Sequence, residues 1–320
     1  MKLSKTLAAA ATAALISTGA MAGDGPDIAV IAGSIEDGFF NLIKKGVDDA
    51  TLMVEANGGT VNYLRVPNYD NFGPDLVTLI NQAVAQGVDG IAIPVWVPDA
   101  QVPALQAAAE QGIAIMMYNS GAPVKDDIHG INYFGSDEYV AGEAGGTYLA
   151  KKGATHILCH IQVPGAINLE TRCEGVTAGA EANGAKVTVL RVPANLDGDV
   201  TGTAESIKAE LIGDQSIDAV ITLAAWASDA ATNAVAQIGG SQMVGTFDMN
   251  PAVLERIAGG TQTMAIDQQP YLQGFLATSM LFANLAFGTE LATDPVLTGP
   301  AIIDESNVKS ALTGVSLGAR

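Results

Sequence analysis

Apolar runs of five to seven residues alternate along this chain with longer segments in which apolar residues recur every three or four positions. Short continuous runs read as strands covered on both faces, and the longer segments read as amphipathic helices. Their regular alternation predicts a parallel sheet with helices on both sides. Residues 28–34 read as the first strand. Residues 39–57 follow as a helix, with Phe40, Ile43, Val47, Ala50 and Val54 on one face and Asn57-Gly58-Gly59 as its stop. Strand 61–66, helix 75–86, strand 90–95, helix 100–111 and strand 114–118 complete one unit. A second unit runs through helix 138–151, strand 156–161, helix 169–182, strand 186–192, helix 204–212, strand 219–223, helix 228–238 and strand 243–247. After a short strand at 263–266, the longest helical pattern, 271–287, has no counterpart in a simple duplication; the chain is expected to cross back to the first unit to place it.

The two units are copies. Asn57-Gly58-Gly59-Thr60-Val61-Asn62-Tyr63-Leu64-Arg65-Val66-Pro67 recurs as Asn183-Gly184-Ala185-Lys186-Val187-Thr188-Val189-Leu190-Arg191-Val192-Pro193. The pair Gly87-Val88-Asp89-Gly90-Ile91-Ala92-Ile93 and Ser216-Ile217-Asp218-Ala219-Val220-Ile221-Thr222 follows in nearly the same register. A repeat of this length is a domain and not a solenoid unit. The sequence therefore predicts two similar doubly wound parallel-sheet lobes, with function in the cleft between them.

Residues 1–22 read as a secretory signal. Lys2 and Lys5 give the positive start, an Ala-rich apolar run follows, and Ala20-Met21-Ala22 supplies small residues for cleavage. A periplasmic product is expected, and later segments are too interrupted by polar residues to span a bilayer. With 34 acidic against 15 basic residues, the net charge of −19 argues against nucleic acid as a partner. Cys159 and Cys173 are the only cysteines, and an even pair in an oxidising compartment predicts a disulfide over two buried thiols. His156 and His160 lie four apart on a predicted strand, about 13 Å from each other and too far to share an ion, so no metal site is expected.

Several motifs resemble the type I periplasmic binding proteins of the ribose-binding protein family, the sugar-binding components of bacterial ABC importers, over essentially the whole mature chain. Gly38-Phe39-Phe40 resembles the family's first loop, where aromatic residues face the ligand. Asn119 and Ser120, in Tyr118-Asn119-Ser120-Gly121, stand where the family carries Asp and Arg. Arg172-Cys173-Glu174-Gly175 resembles its Arg-x-x-Gly helix start. Gly245-Thr246-Phe247-Asp248 matches the strand that ends in a binding Asp, and 267–274 matches the hinge that contributes a Gln, here Gln268. Leu223-Ala224-Ala225-Trp226 departs from an Asn-Asp pair in many relatives. The resemblance implies a three-segment hinge, with one lobe at 23–135 plus about 269–297 and the other at 136–268 plus about 298–320. It also implies capture of a neutral monosaccharide or polyol, delivery to a membrane permease by a monomeric protein, and no cofactor. The same closed form could be presented to a chemoreceptor, and an anionic sugar derivative is the alternative ligand.

The physical case for these residues stands beside the resemblance. Each follows a predicted strand, at the sheet edge where open α/β folds bind ligands. A sugar needs planar polar partners for its hydroxyls and flat apolar walls for its C–H faces. Trp96 and Trp226, the only tryptophans, fall at matching loops of the two copies, where each either packs in the core or offers such a wall. Of Phe39 and Phe40, one is expected to face the core and the other the cleft. Arg172, near a helix start where positive charge is disfavoured, is expected to clamp ligand with Asp248 holding it between ligands. Asp248 could also cap a helix beginning near Pro251, and Gln268-Gln269, preceding Pro270, should be extended with one amide in the crevice. His160 has two readings, cleft-facing or packed. Rival functions lack their signatures: Ala32-Gly33-Ser34-Ile35-Glu36-Asp37 is no dinucleotide-binding turn, no Gly-x-Ser-x-Gly elbow occurs, and no basic helix-turn-helix opens the chain. An enzyme is not expected.

Overall fold

The computed structural model describes residues 25–320; the signal segment at 1–22 lies outside the described residues. The first lobe is built from β1 (Asp27–Ala32), α1 (Gly38–Ala56), β2 (Thr60–Arg65), α2 (Phe72–Gln86), β3 (Gly90–Ile93), α3 (Pro98–Glu110), β4 (Ala114–Tyr118) and β5 (Tyr133–Ser136). The second contains α4 (Glu138–Lys151), β6 (His156–Ile161), α5 (Ile167–Glu181), β7 (Lys186–Arg191), α6 (Val200–Gly213), β8 (Ala219–Thr222), α7 (Ala225–Gln237), β9 (Met243–Phe247), α8 (Pro251–Ala258) and β10 (Met264–Asp267). Then come α9 (Pro270–Phe287), β11 (Val296–Gly299), β12 (Ala301–Ile303) and α10 (Val308–Ser316). Two six-stranded sheets result, ordered β11-β5-β4-β3-β1-β2 and β12-β10-β9-β8-β6-β7.

The repeated sequences occupy equivalent places. β2 and β7, which end on the two repeated Leu-Arg pairs, are the edge strands beside β1 and β6, and all four run parallel within their pairs. As edges they are half exposed, whereas β3, β6 and β8 are buried along their whole length. That contrast follows from helices covering both faces of the central strands. The chain passes from the first sheet to the second between β5 and α4, returns between β10 and α9, and crosses again between β11 and β12.

The long helix at 271–287 does have a counterpart, contrary to the sequence expectation. α9 packs on α1 of the first lobe as α4 packs on α5 of the second. Because each of these helices follows a crossing, the duplication is offset by one helix, and reading the two copies in strict chain order hides the match. Both pairs approach so closely that glycine is required at the contact. A Cβ on Gly274 would strike the Ile43 carbonyl, and one on Gly142 would strike the Arg172 carbonyl. Other differences are local. α6 begins at Val200 and not 204, because Asp199 accepts from the Thr201 and Gly202 amides. α2 starts at Phe72 and α7 at Ala225, each about three residues before the predicted periodic pattern.

Cys159 of β6 and Cys173 of α5 form a disulfide with a Cα–Cα distance of 5.9 Å. It ties α5 to its neighbouring strand one residue beyond Arg172.

Candidate functional site

The loops that leave β1, β2, β3 and β4 meet those that leave β6, β7, β8 and β9 across a cleft holding about 820 Å³ not filled by protein atoms, part of it open to solvent. The lobes touch there: the Ile167 amide at the start of α5 donates to the Trp96 carbonyl at 2.8 Å.

One wall is aromatic. Phe40 meets Trp96 edge to face at 5.4 Å, Phe72 lies against Trp96 at 5.1 Å, and Tyr69 meets Phe72 at 4.8 Å. Phe39 completes the group, half-buried beside the buried Phe40, and both line the cleft. Trp96 is fixed by more than packing, since its indole N–H donates to Asn119 Oδ1 at 3.1 Å and the Asn119 amide donates to Gln273 Oε1. Across the cleft stand Leu223, Ala224, Ala225 and the half-buried Trp226.

Asn119 and Asp248 occupy equivalent turns after β4 and β9, and both have left-handed backbones, with φ of 61° and 67°. Asn and Asp tolerate this region better than other non-glycine residues, and the turn aims each side chain at the cleft. The same turn carries Ser120 away from it. Ser120 is fully buried and its hydroxyl donates to the Val95 carbonyl, so it does not reach the cleft and the expected ligand contact is corrected.

Arg172 lines the cleft from inside α5, five residues beyond its first residue, and not at the helix start. Its partner is also different from the one expected. Nε pairs with Glu138 Oε2 at 2.5 Å, Nη2 donates to Gln268 Oε1 at 2.6 Å, and the guanidinium lies 4.5 Å from the centre of the Phe247 ring. Gln268 in turn donates to Asp248, so the amide stands between the cation and the second carboxylate. Burial pushes Glu138 up from the ordinary carboxyl value, and the charge of Arg172 opposes that rise. Nη1 makes no hydrogen bond among the described residues and remains available at the cleft.

Asp248 is raised to about 7, mainly by burial, with Arg172 and Gln268 opposing. It does not cap the following helix; Asn250 does, accepting from the Val253 amide. Gln269 is left-handed, with φ of 52°, where an extended backbone was expected before Pro270. Its amide bonds to Asp267 and its side chain to the Thr298 carbonyl, and those bonds hold the turn against the preference of a pre-proline residue. His160 is fully buried outside the cleft, and burial pushes it down to about 4. Among the described residues no group of three or more His, Cys, Asp or Glu side chains is arranged to hold a metal.

Sequence reasoning missed Asp37, Tyr69, Phe72, Gln162, Asn168 and Asp197, all on the cleft wall. Asp37 caps α1 at the Phe39 amide and takes the Tyr69 hydroxyl at 2.8 Å; burial raises it, opposed by those two bonds and by Arg65. Asp197 is raised to about 8 by burial and then by Asp37. The signal for two of these loops was in the repeat: Tyr69-Phe72 and Asp197 directly follow the two Leu-Arg-Val-Pro stretches.

The periplasmic binding protein domain family matches residues 28–290. The chain belongs to that family. Its two lobes have the type I arrangement, and a carbohydrate transporter from Acidothermus cellulolyticus solved with myo-inositol superposes with a TM-score of 0.84 at 33% identity, covering 92% of this chain and all of that one. A solute-binding protein from Burkholderia graminis in complex with D-arabinose shares the fold, with a TM-score of 0.77 at 23% identity over 90% of this chain and 98% of the other. The xylose/arabinose-binding protein XylF of Sulfolobus acidocaldarius is 25% identical over 290 residues, 86% of this chain and 70% of its own length. This is a family of solute-binding proteins and not of enzymes.

Proposed function

We propose that this periplasmic binding protein captures a monosaccharide or polyol in the interlobe cleft and hands it to the permease of an ATP-driven importer, acting as a monomer in the periplasm without nucleic acid or cofactor. The observation that carries the reading is one cleft in which an aromatic wall faces converging Asp, Asn, Gln and Arg side chains. That combination suits a ring with polar edges and apolar faces. The 33% identical relative holding myo-inositol supports the same ligand class. Ligand is clasped by residues that leave both sheets, so binding favours the closed form through contacts that only closure completes. The bending segments are those between β5 and α4, β10 and α9, and β11 and β12.

Phe39, Trp96 and Trp226 form the walls in this reading, and Asn119, Arg172, Asp248 and Gln268 the polar contacts. A thermal-shift screen across pentoses, hexoses and cyclic polyols tests it, because a ligand that binds only the folded state raises the melting temperature. A rise with at least one member is expected. No rise with any of them sinks the proposal.

A further inference from the structure

The cleft gathers more carboxyl groups than cations. Asp37 stands on the first lobe, Asp197 on the loop after β7, and Asp248 at the end of β9, all on the cleft wall. Asp37 is occupied by the Tyr69 hydroxyl and the Phe39 amide, but Asp248 accepts only from Gln268, and the Asp197 carboxylate accepts no side-chain or backbone bond among the described residues. Among the described residues Arg172 is the one cation on the wall, and Glu138 already pairs with it. Arg65, whose charge acts on Asp37, turns to the Gly33 and Ser34 carbonyls and to Asn41. Three carboxyl groups on the wall therefore face one guanidinium that Glu138 already pairs with.

A separate observation points the same way. Gln162 and Asn168 are each 7% exposed, line the cleft, and have amide oxygens that no donor reaches. Buried acceptors without partners are costly and are normally satisfied by something bound. The half-buried rings of Phe39 and Trp226 line the cleft as well, and aromatic rings attract a cation. A hydroxyl offers one donor and no charge, whereas an ammonium offers three donors and the missing charge.

We propose that the cleft is shaped for a monosaccharide or cyclic polyol bearing a protonated amine, seated against Asp197 and Asp248 with its donors on the unbonded carboxyl and amide oxygens. The sugar class itself rests on the function proposed above. Holding Asp197 and Asp248 ionised against a cation has a further consequence: at pH 6.5, where the sugar amine is already protonated in solution, its binding releases protons, because those carboxyls are raised to about 8 and about 7 in the empty cleft.

Calorimetry on the mature protein with matched pairs tests this: D-glucosamine against D-glucose, and 1-amino-1-deoxy-scyllo-inositol against scyllo-inositol, in two buffers of different ionisation enthalpy. In a pair that binds, the amine is expected to be about tenfold tighter or better, the scale of one charge-assisted bond, to weaken with salt and to release protons. Asp197→Asn, with Asp248→Asn as a second variant, should bring the amine-to-parent ratio below about threefold. Parents binding as tightly as their amines, with no proton release, overturn this inference and leave the sugar reading standing. If no sugar or polyol of either kind binds, both fall.

Discussion

Arg172 is held by Glu138, the first residue of α4 just past the first crossing between lobes, and Asp248 reaches it only through Gln268. The guanidinium is therefore anchored to its own lobe by the helix that opens it. Removing one partner leaves the other charge buried and alone. Arg172→Met should destabilise the protein by about 3–5 kcal/mol, and the double change with Glu138→Gln by less, since a buried pair replaced as a unit leaves no orphan charge. Urea unfolding of the two single variants and the double variant gives the coupling directly. Additive losses would show that the pair is not one unit.

The raised carboxyls of the cleft set a pH dependence for the unliganded protein. Asp248 at about 7 and Asp197 at about 8 bind protons in the folded state that the unfolded chain releases near 3.8. Stability from these groups is then greatest at low pH and declines as pH rises from about 4 through 7 and 8. The melting temperature of ligand-free protein should fall between pH 5.5 and 8.5, and Asp197→Asn with Asp248→Asn should flatten that slope. A profile unchanged by both substitutions would place the titration elsewhere.

Much of this architecture is legible in the residues themselves. Strands such as β6 and β8 read clearly because both faces are covered and every position is apolar or packed. Trp96, Asn119, Arg172, Asp248 and Gln268 were readable because they follow strands or sit in recognisable motifs. Asp37 was not, because an isolated Asp in a loop carries no periodicity; Asp197 was marked only by its place shortly after the repeated Leu-Arg-Val-Pro stretch, and the raised pKa of each exists only in the folded cleft. Glu138 is the same kind of case: its partner is 34 residues away on a different helix. Ser120 misled because the left-handed turn at Asn119 reverses the direction in which a following residue points.

Close helix contact gives a stability prediction independent of the cleft. Gly142 of α4 and Gly274 of α9 face carbonyls of α5 and α1 with no room for a methyl group. Either glycine changed to Ala must separate its helix pair, at a cost of about 1–3 kcal/mol or more. Gly142→Ala presses on the Arg172 backbone and should weaken ligand binding as well, while Gly274→Ala should lower stability with less effect on affinity. Denaturant titration and calorimetry on both variants separate the two effects.

The Cys159–Cys173 bridge should leave no free thiol in purified mature protein. Reduction opens a loop of 14 residues' separation and should lower stability by on the order of 3 kcal/mol in the chain-entropy picture. Two titratable thiols in denatured, unreduced protein would remove the bridge from the account.

Ligand charge is the sharpest test of the electrostatics. One feature favours an anion: α7 begins on the cleft wall without a side-chain cap, and its first amides carry about half a positive charge. Against it stand Asp37, Asp197 and Asp248, with Arg172 already matched by Glu138. His160 cannot alter the balance, because it is buried away from the cleft and held neutral near pH 7 by a value pushed down to about 4. Above pH 8, where Asp197 and Asp248 are ionised, a carboxylate on the ligand would meet like charges in the cleft, which costs more than half a charge returns. At pH 8.5 and above galacturonate should therefore bind at least about 100-fold more weakly than galactose, a difference of about 2.7 kcal/mol, and added salt should narrow the gap. Calorimetry of that pair at two ionic strengths decides it, and tighter binding of the uronate, weakened by salt, would mean that the cleft presents net positive charge to its ligand.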